Sequence, residues 1–220
     1  MNLAAFLQVR PWLYHLTHRD NLPSLRATRA LRSASALIGP ERAGELRSLR
    51  THHVPVQTPT GRVVIRDQLP LHERNIELPS GTAFEDYVEY LNGQVYFWPG
   101  SDSGSSRLVA LLGSSGGVHD VALRAPTASV LAANEGQVPL FSRWNSGAPR
   151  QTAGHRARRR VGLHVPAEQY PGPVMTVVEV AFRGNVVLPD DTQVAADPSG
   201  PWRDLEDADV EAGLSRSTDY

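Results

Sequence analysis

At 220 residues and 40% hydrophobic content the chain can bury one sizeable core, and the expectation is a single domain over 1–196 followed by an acidic tail over 197–220. Cysteine is absent, which excludes disulfides, thiolate nucleophiles and cysteine-ligated zinc. The net charge of −1 hides an asymmetry: residues 1–189 carry 20 Arg against 14 Asp and Glu, while 190–220 carry 2 against 9.

Residues 1–10 lack the basic start and long apolar stretch of a secretory signal, and no apolar run approaches about 18 residues, so a cytoplasmic protein without a membrane span is expected. Residues 12–17 alternate aromatic and apolar side chains around His15 and read as a strand. Asp20 is placed to cap a helix over 21–28, and Pro40 to open a second helix over 40–50. A loop is expected over 51–61, a strand over 62–65 and irregular chain over 67–79. Thr82 and Glu85 form a capping box ahead of Phe84, Tyr87, Val88 and Leu91 at helical spacing, and Asn92-Gly93 ends that helix. Strands follow over 94–98, 108–112 and 120–123, then a helix over 126–134 and strands over 138–141 and 175–182. Short strands with helices concentrated in the first half predict an α+β fold.

Two strands carry the candidate chemistry. In 175–182 both faces are apolar except at Glu179, and an unpaired buried carboxylate is costly. Glu179 is therefore paired with an Arg, protonated or set at the lip of a cleft, unless the strand is an edge and Glu179 faces water. In the first strand His15 and Thr17 share one face and suit a ribose or an amide. His52-His53 lacks spaced carboxylates, so no metal site is expected. All 22 basic residues are Arg, and the run Arg156, Arg158, Arg159 and Arg160, with Arg143 and Arg150 before it, suits nucleic-acid phosphates unless it is simply a solvated loop.

Tyr14-His15-Leu16-Thr17-His18 followed by Asn21-Leu22 resembles the opening of the DarT family, toxins that ADP-ribosylate DNA bases. Ile65-Arg66-Asp67-Gln68-Leu69-Pro70 and Val178-Glu179-Val180 are similar to later segments of that family, Asn145-Ser146-Gly147-Ala148 to a segment of some members, and Tyr96-Phe97-Trp98-Pro99 to its aromatic stretch ending in Pro with a different order and spacing; the lengths between the segments depart from the family. A bacterial group of unknown activity with a His-Leu-Thr, Asn-Leu, Asp-Gln-x-Pro pattern is more similar still.

The resemblance implies an ADP-ribosyltransferase-like split β-sheet and NAD as substrate, with no metal. It assigns His15 and Thr17 to the nicotinamide-side ribose and amide, Asn21 to the adenosine half and Glu179 to catalysis. An NAD-contacting arginine is implied ahead of Asp67, either Arg50 or Arg47, and Tyr96, Phe97 or Trp98 would stack on nicotinamide. The resemblance does not set the target; the Arg-rich body and the arginines over 143–160 favour a DNA or RNA base as acceptor, with a protein or small molecule as the alternative, in a toxin or phage-defence effector with an antitoxin partner. An NAD glycohydrolase, an RNA 2′-phosphotransferase and a non-catalytic nucleic-acid binding module are the alternatives. The acidic tail could cover the basic face as a mimic of nucleic acid.

Overall fold

The structure, a computed structural model, describes residues 1–101, 119–149, 155–197 and 200–207. The strand expected over 108–112, Arg150 and most of the acidic tail lie outside the described residues.

The chain opens on a helix that the sequence pattern did not announce, α1 (Leu3–Val9), capped by the Asn2 side chain, which accepts from Ala5 N at 3.1 Å. After β1 (Trp12–His18) and a 3-10 turn comes α2 (Leu22–Thr28). Asp20 does not cap α2 as expected; the N-cap is Asn21, whose side chain makes no cap bond. It is drawn instead to the backbone of Val64, because a buried amide is better satisfied by a strand backbone it can both donate to and accept from. β2 (Ala30–Arg32) and α3 (Ala34–Ile38) follow.

The expected helix over 40–50 is a kinked 3-10 segment, Pro40–Arg47, that stops short of Arg50. Arg50 departs from it because its backbone exchanges bonds with the Gln68 side chain and backbone, at 3.0 and 2.9 Å. The expected loop over 51–61 contains β3 (Val54–Thr58), which forms a hairpin with β4 (Gly61–Ile65). Pro55 and Pro59 masked the alternation there, although Val56 is buried. A two-residue strand, β5 (Ile76–Glu77), interrupts the irregular segment.

α4 (Phe84–Asn92) buries Tyr87, Val88 and Leu91 as the spacing predicted. Its cap lies one residue later than expected: the Asp86 carboxylate accepts from Ala83 N at 3.1 Å, in place of Thr82 and Glu85. β6 (Gln94–Gly100), β7 (Asp120–Pro126), α5 (Thr127–Ala133) and β8 (Leu140–Ser142) follow. The remaining strands are β9 (Ala157–Arg158), β10 (Val165–Pro166), β11 (Glu179–Arg183), β12 (Asn185–Val187), β13 (Gln193–Ala195) and β14 (Arg203–Asp204). The late strand begins at Glu179 because Val174–Thr176 is a 3-10 turn.

Eight strands form one antiparallel sheet in the order β10-β8-β11-β6-β1-β7-β13-β14, giving the α+β class expected. Shorter pairings join β12 to β2 and β5 to β9. The sheet is split along one strand. β6 pairs with β11 over Gln94 to Phe97, but with β1 only from Trp98 to Gly100. Beyond Tyr14, β1 leaves β6 while staying paired with β7 through His18. Leu13, Phe97, Leu123, Phe141, Val180 and Phe182 pack the main core, with Phe6 of α1 edge-on to Phe141 at 5.2 Å.

The segment beyond 197 is not entirely a loose tail. β14 pairs with β13, Leu205 is fully buried, and Arg26 Nε donates to Leu205 O at 2.9 Å. Arg29, at φ 49°, donates to Glu206 Oε1 at 2.8 Å. Glu206 therefore pairs with the end of α2 rather than with the arginines around 143–160. Among the described residues no helix is long and apolar enough to cross a membrane.

Candidate active site

The divergence of β1 from β6 opens a cleft whose walls include His15, Thr17, Arg50, Tyr96, Asn145 and Glu179. Residues far apart in sequence meet here because three strands end or part at this place, while the core below keeps their backbones fixed.

Glu179 begins β11 and is 2% exposed. The edge-strand alternative is excluded, since β11 is flanked by β8 and β6. It stands at the cleft wall, one of the alternatives the sequence left open, and its side-chain hydrogen-bond partner is a histidine rather than an arginine: His164 Nε2 stands 2.8 Å from Glu179 Oε2, and Ser146 N donates to the same oxygen at 3.1 Å. Tyr90 hydroxyl lies 2.8 Å from His164 Nδ1 and accepts from His164 N at 3.1 Å. The loop carrying Ser146 is fixed in turn. Tyr87 hydroxyl donates to Ser146 O at 3.1 Å, Arg159 Nη2 to Asn145 O at 3.0 Å, and Ala148 N to Asn145 Oδ1 at 3.0 Å. The carboxylate is thus held in a shell of donors at the cavity wall, which is how a buried acidic group keeps one orientation.

His15 lies where β1 parts from β6, its Nδ1 donating to Tyr96 O at 2.7 Å. A carbonyl can only accept, so Nδ1 carries the proton. Desolvation lowers the imidazole pKa to about 4 against the help of the Tyr96 carbonyl, so at neutral pH the ring is uncharged and Nε2 is an acceptor. Thr17 is buried beside it, its Oγ1 accepting from Asn21 Nδ2 at 3.0 Å. Asn21 also donates to Val64 O at 2.9 Å and accepts from Val64 N at 2.7 Å. It lines the cleft with both Nδ2 hydrogens engaged in clamping β1 to β4, while Oδ1, which accepts only from Val64 N, keeps a second acceptor position.

The structure separates the two candidate arginines. Arg50 lines the cleft, donating from Nε to Arg66 O at 3.2 Å and from Nη1 to Asn92 Oδ1 at 2.7 Å. Desolvation brings its pKa down to about 10, with Asp67 opposing, so it stays a cation at neutral pH. Arg47 instead faces outward in ion pairs with Asp86 at 2.6 Å and Glu89 at 2.7 Å. Arg66, also on the cleft wall, pairs with buried Asp120 at 2.8 Å. Tyr96 donates to Leu91 O at 3.0 Å and sets its ring 5.4 Å from His164. Burial, followed by the nearby Glu179 charge, raises its phenol well above the ordinary value.

Beside the cleft, across the 142–146 loop, a second hollow is lined by Arg143, Trp144, Arg158, Arg159, Arg160 and Tyr170. Arg143, Arg156 and Arg158 are exposed, and Trp144 leaves 47% of its surface open. Arg143 stands 5.1 Å from the Trp144 ring. Arg159 departs from the expectation: it is 6% exposed and bonds Arg158 O and Asn145 O, so it supports the loop rather than meeting solvent. Among the described residues no group of three or more His, Cys, Asp or Glu could hold a metal ion.

His164, Tyr90, Tyr87, Asn92 and Arg66 were not foreseen as site residues. A histidine between Leu163 and Val165 was the one local signal for His164, the same kind that drew attention to His15. Tyr87 and Tyr90 read as packing residues of α4, and only the fold turns their hydroxyls to the loop and to His164.

A mixed α+β protein with a split antiparallel sheet and a buried Glu at the split is therefore the class defined by the geometry. The chain belongs to a family of unknown function, DUF7002, whose model matches residues 11–192. Among solved structures it is similar to Thermus sp. 2.9 DarT in complex with NAD+, at 15% identity and a TM-score of 0.36, over 82% of this chain and 78% of that one. It is also similar to Thermus sp. 2.9 DarT in complex with ADP-ribosylated ssDNA, at 14% identity and a TM-score of 0.37, over 82% and 79% of the two chains. No curated protein matches.

Proposed function

We propose that the cleft binds NAD and that the protein is an ADP-ribosyltransferase acting on a nucleic-acid base. The observation that carries this reading is a buried, donor-held Glu179 sharing one cleft with neutral His15 and cationic Arg50. The ordered motif resemblance around His15, Asp67, Asn145 and Glu179 supports it.

In this reaction the bond between the ribose C1′ and the nicotinamide nitrogen breaks, and its electron pair leaves with nicotinamide. A base nitrogen or oxygen then bonds to C1′ and releases its proton. Positive charge spreads over C1′ and the ring oxygen in between, and a fixed carboxylate on the 2′-hydroxyl stabilises it more than the ground state. Glu179 takes that part. His15 Nε2 offers an acceptor to a ribose hydroxyl or the nicotinamide amide, with Thr17 beside it. Arg50 matches a pyrophosphate, since a guanidinium that keeps its charge in a half-dry wall binds anions strongly. The exposed arginines and Trp144 suit a strand whose phosphates and an unstacked base lie next to the cleft.

The test is nicotinamide release from NAD with and without oligonucleotides, followed by the mass of the oligonucleotide. The reading expects release together with a mass gain of one ADP-ribose. Release without that gain would make the protein a glycohydrolase, and no release under any condition would end the enzymatic reading.

A further inference from the structure

Around Glu179 lie several buried polar side chains to which the proposed reaction gives no chemical step. The groups facing it are the phenols of Tyr87, Tyr90 and Tyr96, the imidazole of His164 and the guanidinium of Arg159. His164 is the one whose side chain reaches the carboxylate, and it does so with its own side chain fully buried and that of Glu179 3% exposed.

The bonding around the imidazole fixes its proton. With the Tyr90 hydrogen directed at Nδ1, the ring hydrogen sits on Nε2, facing Glu179 Oε2 in the 2.8 Å contact. Tyr90 oxygen already accepts from His164 N at 3.1 Å, and its own hydrogen then points to Nδ1 at 2.8 Å. Burial pushes the Tyr90 phenol up, which keeps that hydrogen in place. Every donor in the chain Tyr90, His164, Glu179 meets an acceptor. The ring is also walled by Tyr96 at 5.4 Å and Tyr90 at 6.1 Å, so it has little freedom to turn.

We propose that His164 is a positioning residue that aims the Glu179 carboxylate through Nε2–H, with Tyr90 setting the imidazole from behind. The catalytic part of this inference rests on the reading of Glu179 given above; the coupling of the two side chains does not. Both bonds land on Oε2, and Ser146 N alone would remain there if His164 were lost. A donor to the charged form holds a carboxyl pKa down, so its removal from a buried site raises that pKa.

The experiment follows the Glu179 carboxyl by 13C NMR titration in wild type, His164→Leu, His164→Gln and Tyr90→Phe, without NAD, alongside nicotinamide release. Loss of the donor in His164→Leu is expected to move the Glu179 midpoint upward relative to wild type. Gln carries an amide N–H to the same place and should restore the wild-type midpoint, while Tyr90→Phe should shift it partway. In turnover, His164→Leu should lower kcat roughly ten- to hundredfold with KM for NAD within about twofold, as for a bond needed in the transition state. His164→Gln should recover most of it.

An unchanged midpoint in His164→Leu, or a Gln variant as impaired as Leu, overturns the proposal. If His164→Leu does not fold, a Tyr90→Phe protein that folds and titrates like wild type overturns it equally. Should wild type release no nicotinamide, the reading of the cleft as an NAD site fails, and the titration still decides what His164 does to Glu179.

Discussion

Two arginine-bearing regions lie on either side of the 142–146 loop and are built on opposite terms. Toward Glu179 the loop is held by buried, paired groups: Arg159, at the wall between the two hollows, to Asn145 O, Tyr87 to Ser146 O, and His164 and Ser146 N to the carboxylate. On the other side Arg143, Arg156 and Arg158 are exposed, and Trp144 keeps nearly half of its surface open. A buried donor that loses its acceptor costs the fold directly, whereas an exposed guanidinium costs almost nothing to remove. The first region is therefore fixed before any ligand arrives, and the second is free to fit one.

The difference is broken most sharply by comparing Arg159→Ala with Arg143→Ala in chemical denaturation. Arg159→Ala leaves a buried carbonyl without its donor and should destabilise by about 2 kcal/mol, while Arg143→Ala should stay within about 0.5 kcal/mol of wild type. Equal losses would erase the distinction.

The second comparison sets Arg50 against Arg47. Arg50→Ala should weaken NAD binding by about 1.5 to 3 kcal/mol, as expected for a bond to a charged group, and Arg47→Ala should leave it unchanged because Arg47 is turned to Asp86 and Glu89. Isothermal titration reads both, and a larger effect at Arg47 would place the pyrophosphate elsewhere.

Trp144→Ala should cost about 1 to 2 kcal/mol in single-stranded oligonucleotide affinity, whereas Arg143→Ala should lower the salt dependence by about one counterion. Neither should alter nicotinamide release in the absence of oligonucleotide.

The smallest effect belongs to pH. The His15 pKa falls from 6.5 in the unfolded chain to about 4 in the fold, so between those values the unfolded state holds the extra proton. Stability should therefore decline as pH drops from about 6.5 toward about 4, by less than full burial implies, since the ring is partly exposed to the cleft. His15→Gln should flatten that slope in thermal unfolding measured across the range.

The sequence reveals local pattern more readily than partnership. α4 is legible because Tyr87, Val88 and Leu91 repeat at helical spacing, and β1 and β6 because each is a short run of aromatic and apolar residues. β3 is obscured by its flanking and internal prolines, and α1 is short and uncharged, with a single Asn as its signal. Glu179 is conspicuous as one charge among apolar neighbours, yet nothing local could assign its partner, since His164 reaches it only after β8, β10 and β11 align. Arg159 illustrates the converse: in sequence it is indistinguishable from Arg158 and Arg160, and only the fold buries it.

The central claim is that the cleft at the split of the sheet is an NAD site in which Glu179 acts on the transition state. Its most direct test is the rate of nicotinamide release by wild type and Glu179→Gln at saturating NAD, with NAD affinity measured on both. The expected result is affinity within a few fold and a rate lower by about 10²–10³ in the Gln protein, the scale of a lost electrostatic contact in a transition state. A Gln protein that releases nicotinamide as fast as wild type would contradict the account.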